Sequence, residues 1–205
     1  MKHLRGLMIC PMLAVALCMN AAGAFAQTSH HIRFEASNNS ARVFVEDQRA
    51  KAGTDSNGVS HAAGVRAATD DDDGSSNVMA SDGSSLLVSL DKWRSAEGTA
   101  QITAEEGHDS VKLTFNHLVA FGEYSLFLAD LTDPDASALR ALDGSGTNNS
   151  FEAKVDGTAS LTVAADKHLT HSGAIVLIYH SDDSDHGASP GQLFIDAHQQ
   201  LIARI

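Results

Sequence analysis

The sequence predicts an all-β protein, an antiparallel Greek-key sandwich of about seven to nine strands preceded by a flexible N-terminal region. Short segments that alternate apolar with polar residues recur from residue 85 onward at a spacing of about 8–12 residues, as sandwich strands do. Helical periodicity is nearly absent. Before residue 85 the text is polar and irregular, and over 51–84 it is rich in Gly, Ser, Ala, Asn and Asp.

The chain opens with the basic Met1-Lys2-His3-Leu4-Arg5, followed by an apolar run from Leu7 to about Met19 that is too short to span a bilayer as a helix. The run leads to Ala24-Phe25-Ala26, the small-x-small pattern cleaved by signal peptidase, so residues 1–26 are expected to be a signal peptide. A lipid anchor on Cys18 is disfavoured, because Leu17 stands where a lipobox carries Gly or Ala. The expected location is therefore periplasmic or secreted. Residues 27–84 form the polar, partly disordered region and 85–205 the β-sandwich domain. Within the former, His31–Phe34 and Arg42–Val45 are strand candidates, whereas Lys51 to Ser85, with its run Asp70-Asp71-Asp72-Asp73-Gly74, reads as a flexible loop or linker.

Later strands follow in order. Leu86–Leu90 leads into Trp93; Thr99–Thr103 and Val111–Phe115 carry the period of two, with a turn at Gly107-His108-Asp109. Tyr124–Leu128 comes next, then a short helical turn over Asp135–Leu142 and a loop at Asp143-Gly144-Ser145-Gly146. Ser150–Val155 and Ala159–Val163 flank Asp156-Gly157 and predict a hairpin. Ala174–Tyr179 is almost continuously apolar, the mark of a central strand buried on both faces. Gln199–Ile205 closes the domain.

Both cysteines, Cys10 and Cys18, fall in the expected signal peptide, so the mature chain can form no disulfide. The net charge is −12, and removal of Lys2 and Arg5 takes the remaining 179 residues to −14. Such a surface repels phosphates and anionic headgroups, which argues against nucleic acid and membrane surfaces as partners and favours cations. No later segment is long and apolar enough for a membrane span.

Chemistry concentrates after the buried strand. Between His180 and His198 the chain carries three imidazoles (His180, His186, His198) and four carboxylates, Asp182, Asp183, Asp185 and Asp196. Imidazole and carboxylate groups are the donors that copper and zinc take. His180 ends an anchored strand, and a reversal at Pro190-Gly191 is expected to return His198 to the same place. The predicted site is thus His180, His186 and His198 with Asp182 or Asp185, taking copper or zinc. Calcium is less favoured, since neither Asp70–Asp73 nor Asp182–Asp185 matches the twelve-residue calcium loop with its terminal Glu. Gly-x-Ser-x-Gly, a mature Cys and a phosphate loop are all missing, which weighs against catalysis. The functional expectation is an exported acidic binding module for a metal ion. Alternatives are a structural or interaction protein with an unknown protein partner, or a superoxide dismutase-like enzyme.

Two resemblances accompany this reading. Trp93, Gly98-Thr99-Ala100, Gly122–Leu128 and above all Tyr179-His180-Ser181-Asp182…His186-Gly187…Pro190-Gly191 resemble a group of secreted bacterial and archaeal β-sandwich proteins without assigned activity. That likeness implies a fold and a location, but no reaction. Ile175–Asp183, an apolar strand ending in His180 and acidic residues, is also similar to the copper–zinc superoxide dismutase sandwich and implies His180 as a copper ligand. The strand that would bear that family's His-x-His pair reads Leu126-Phe127-Leu128 instead. Mass spectrometry of the exported protein should find Gln27 as the first residue, free or cyclised to pyroglutamate. A retained Met1 or a lipid on Cys18 would overturn the processing and location readings together.

Overall fold

A computed structural model describes residues 29–36, 43–56, 58–132 and 139–205. The expected signal peptide and both cysteines lie outside these residues, as does half of the helical turn expected over 135–142; in the described half Arg140 and Ala141 form a strand instead.

The described elements are fifteen strands and one short helix. In chain order they are β1 (Ser29–Ala36), β2 (Phe44–Glu46), β3 (Gly53–Thr54), β4 (Ser60–His61), β5 (Val65–Ala67), β6 (Asn77–Met79), β7 (Ser85–Ser89), α1 (Leu90–Arg94), β8 (Glu97–Ala104) and β9 (Asp109–Asn116). Then come β10 (Glu123–Asp130), β11 (Arg140–Ala141), β12 (Ser150–Glu152), β13 (Ala159–Ala164), β14 (Gly173–His180) and β15 (Ala197–Arg204). The fold is all-β, and every pairing between named strands is antiparallel.

One long sheet runs β11-β10-β14-β15-β1-β8-β9-β13, with β12 also on β10. Strand β1 joins its two halves: His30 to Phe34 pair with β8, while Glu35 and Ala36 pair with β15. The sheet therefore curls and closes over a single core. Phe34, Ile102, Leu113 and Phe115 enter that core from one half, and Tyr124, Leu126, Leu177 and Tyr179 from the other. Phe151 stitches them, stacking on Phe115 at 5.6 Å and on Tyr124 at 5.5 Å. The chain crosses between halves after β9, β12 and β13, which gives the sandwich its interleaved connectivity.

Two local readings change. The Asp156-Gly157 turn forms, with Gly157 N–H donating to Lys154 and Lys154 N–H to Thr158. Its flanking strands nevertheless part company, β12 pairing with β10 and β13 with β9. A turn signal specifies a local reversal, whereas the apolar faces on either side decide which sheet each strand joins. Leu90 and Trp93, expected on or beside a strand, instead lie in α1, where the Ser89 hydroxyl accepts from Lys92 N–H as N-cap. This one turn buries both side chains in the core.

The larger change concerns residues 51–84. Instead of a linker they supply β3 to β6, and β5, β2, β6 and β7 form a four-stranded sheet. Its few apolar residues are well placed: Val43, Val45, Val78, Ala80, Leu86 and Val88 belong to the main core cluster, and Phe44, Val59 and Val65 pack on the opposite side. Average composition concealed this, because polar loops separate the apolar residues. Asp72 of the acidic run pairs with Arg66, and Thr69 N–H adds a second contact, so its carboxyl lies far below the usual range.

Strand β14 is buried on both faces, as its apolar run requires. Ile175, Leu177 and Tyr179 point into the main core; Val176 and Ile178 meet Phe127, Ala129, Ala141 and Ala197 on the other side. Each such aliphatic burial contributes roughly 1.5–3 kcal/mol. Core packing is tight at Gly98, where a Cβ would stand 2.4 Å from the Phe115 ring and 3.3 Å from that of Phe34. Gly98→Ala is expected to cost about 1–3 kcal/mol in urea denaturation. An unchanged unfolding midpoint would show that the aromatic pair does not constrain this strand.

Candidate metal centre

Strand alternation determines which side of the sheet each histidine occupies. Tyr179 faces the main core, so His180, the next residue, faces outward with Ile178 and Val176. The loop 181–196 folds back over that outer face and leaves His180 with 0% exposure. Two contacts hold the loop in place. Leu193 packs on the outer cluster, and Phe194 on the small sheet, where Ser81 N–H donates to the Phe194 carbonyl at 2.8 Å. On its far side, Gly146 allows the 143–149 loop to pass against it: a Cβ there would lie 2.1 Å from Ala188 N. The Asp143 carboxylate organises that second loop by accepting from Ser145, Gly146, Thr147 and Asn148. Burial acts to raise the Asp143 pKa, but these donors outweigh it and hold the group far below the usual carboxylate range.

Within this frame His180, Asp182 and His186 converge. One donor atom from each lies within 4.8 Å of the others, a group that could hold a metal ion. The two imidazole rings are 5.0 Å apart between centroids and tilted by 42°. His186 Nε2 is 3.1 Å from one Asp182 carboxylate oxygen and 3.3 Å from the other. The centre grades from buried to open: His180 is enclosed, His186 half-buried and Asp182 exposed. Burial, and after it the neighbouring His186, lowers the pKa of His180, while nearby carboxylates oppose the shift. The shift favours the neutral ring, the state a metal ligand needs.

The other predicted ligands are elsewhere. His198 pairs with Tyr179 across the β14–β15 ladder and so shares its core-facing side. There its ring meets Trp93 at 6.4 Å and Tyr179 at 6.3 Å, and Nε2 lies 3.1 Å from the Ser181 hydroxyl. The Pro190-Gly191 reversal does return the chain, but to the opposite face from His180. Asp185 lies outside the converging trio and accepts instead from Ser150 Oγ at 2.9 Å and Gly187 N–H at 2.7 Å.

Sequence reasoning missed Ser125 and Ser150. Ser125 Oγ lies 2.8 Å from His180 Nε2 and 2.9 Å from Ser150 Oγ. The available signal was one serine inside the otherwise aromatic and aliphatic Tyr124–Leu128 strand. Also missed was Asp109, whose buried carboxylate holds His168 Nδ1 and Leu169 N–H, each at 2.8 Å. In the acidic run considered for calcium, Asp72 and Asp73 are engaged by Arg66 and Ser75 respectively.

Comparison with protein-family models, curated proteins and solved structures gives no match. Among the described residues no helix is long and apolar enough to cross a membrane.

Burial lowers the His198 pKa from an ordinary 6.5 to about 4. The unfolded chain takes up a proton near 6.5 that the folded chain refuses until about 4, so His198 makes stability fall as pH drops through that window. His180 is shifted in the same direction. The thermal midpoint should decline between pH 7 and 4.5, and His198→Leu should flatten the decline. Equal slopes in the two proteins would refute burial of a neutral His198.

Proposed function

We propose that this protein is an exported, acidic β-sandwich binding module that holds one copper or zinc ion through His180, Asp182 and His186. The observation that carries the reading is the convergence of these three donor groups on a strand end and the loop that follows it. Two imidazoles and a carboxylate suit borderline transition metals better than calcium, which takes oxygen donors. Ligands on one tetrahedral zinc stand about 3.3 Å apart, given bonds of about 2.0–2.1 Å. A spacing within 4.8 Å therefore closes with small movements of the exposed loop. His180 is the fixed donor, since its strand is locked between two apolar layers, and a ligand on a rigid element loses little entropy when it binds.

Three protein donors leave a fourth position for water or a small ligand. Redox cycling is no part of the proposal, because Leu126 and Leu128 point into the apolar core where a dismutase-like site would need imidazoles. The acidic surface supports the reading in a general way by concentrating cations near the module.

Titration calorimetry of the mature protein with zinc and with copper(II) tests it. His186→Ala should weaken binding at least tenfold, and His180→Ala/His186→Ala should abolish it, whereas His198→Gln should leave the affinity within about twofold. Unchanged affinity in the double variant would defeat the proposal.

A further inference from the structure

The hydrogen bonds behind His180 form a chain with a fixed direction. Asp185 presents a carboxylate, which only accepts, so Ser150 gives its single hydroxyl proton to Asp185 Oδ1 at 2.9 Å. The other oxygen near Ser150, Asn149 Oδ1 at 3.5 Å, is likewise an acceptor. Having no proton left, Ser150 Oγ must accept from Ser125 Oγ at 2.9 Å. Ser125 has then spent its proton and must accept at its remaining contact, 2.8 Å from His180 Nε2. Reversing the last bond would set two hydroxyl oxygens 2.9 Å apart with no proton between them.

The opposite nitrogen agrees. His180 Nδ1 is buried and has no hydrogen-bond partner. A proton there would be a buried donor without an acceptor, which folded proteins avoid. A bare lone pair there is what a cation satisfies. Resting on the metal centre proposed above, we infer that the Asp185–Ser150–Ser125 chain fixes His180 in its Nε2-protonated tautomer and thereby makes Nδ1 the nitrogen that ligates the ion. Asp185 is thus a positioning residue rather than a ligand, and it acts on the metal across two hydroxyls. Its second donor, Gly187 N–H at 2.7 Å, ties the same carboxylate to the residue after His186. The tautomer of one ligand and the placement of the other accordingly share an anchor. Outer partners of this kind typically govern metal affinity by about 10–100-fold.

The test reads the tautomer first, without metal. Long-range proton–nitrogen NMR of the mature, imidazole-labelled protein at neutral pH should show His180 protonated at Nε2 and bare at Nδ1. Ser150→Ala, which does not touch His180, frees the Ser125 proton to point at Nε2 and should move His180 toward the Nδ1-protonated form. Zinc affinity by calorimetry should fall about 10–100-fold in the same variant. Ser150→Thr keeps the hydroxyl and should restore both readouts, which a purely structural role for Ser150 does not require. A wild-type His180 protonated at Nδ1, or a tautomer unmoved in Ser150→Ala, overturns the inference. Zinc that fails to bind the wild type, with the tautomer and its switch as stated, overturns the metal centre and leaves the hydrogen-bond chain standing.

Discussion

Burial of β14 on both faces is the constraint from which the rest of the molecule follows. In a sandwich the outer face of a sheet ordinarily meets water, and a strand reading Ala174-Ile175-Val176-Leu177-Ile178-Tyr179 cannot. The outer face must be roofed. The long 181–196 connection does this, bringing Leu193 onto the outer cluster of Val176, Ile178 and Phe127, which Ala141 and Ala197 extend along the neighbouring strands of the same sheet. A roof made of loop carries backbone polar groups that need partners, which accounts for the density of Asp and Ser around it. The histidine at the end of β14 is enclosed as a by-product of covering the apolar residues before it.

The small N-terminal sheet has a role in this scheme. Phe194 of the roofing loop packs with Phe44, Val59 and Val65, so the region expected to hold a flexible linker anchors the loop that carries Asp182 and His186. The loop is gripped from three sides: by the large sheet beneath, by the small sheet through Phe194, and by the Asp143 loop through the close passage at Gly146. A centre that mixes one rigid donor with two donors on such a loop can adjust to an ion without disturbing the core.

Much of the β architecture was legible because half-buried strands write their burial as a period of two and strands buried on both faces write theirs as a continuous apolar run. Thr99–Thr103, Val111–Phe115, Tyr124–Leu128, Ala159–Val163 and Ala174–Tyr179 all fall within observed strands. What composition obscured was the segment 51–84, where single valines separated by turns suffice for three-residue strands. At the site, His180, Asp182 and His186 were legible as neighbours along one loop. The side on which His198 falls was not, since one residue of register in β15 moves a side chain from one face to the other. Ser125 stood out only as a serine in an apolar strand, and Ser150 not at all: their roles come from cross-strand pairing between β10, β12 and β14, which no local spacing encodes.

Strand β1 lies between β8 and β15, so the earliest described strand is neighbour to the last. Glu35 meets Ile202 and Ala36 meets Leu201, contacts that span most of the polypeptide. Synthesis delivers residue 202 long after residue 35, and until it arrives β14 lacks one of its two lateral partners. The core therefore assembles as one late event, with the high contact order of folds that form slowly. Loss of strand β1 or β15 would expose two raw sheet edges at once, at β8 and β15 or at β1 and β14, and unpaired edges of that kind recruit other chains. Proofreading is thus built into the topology: a copy lacking β1 or β15 presents raw sheet edges in place of a closed core.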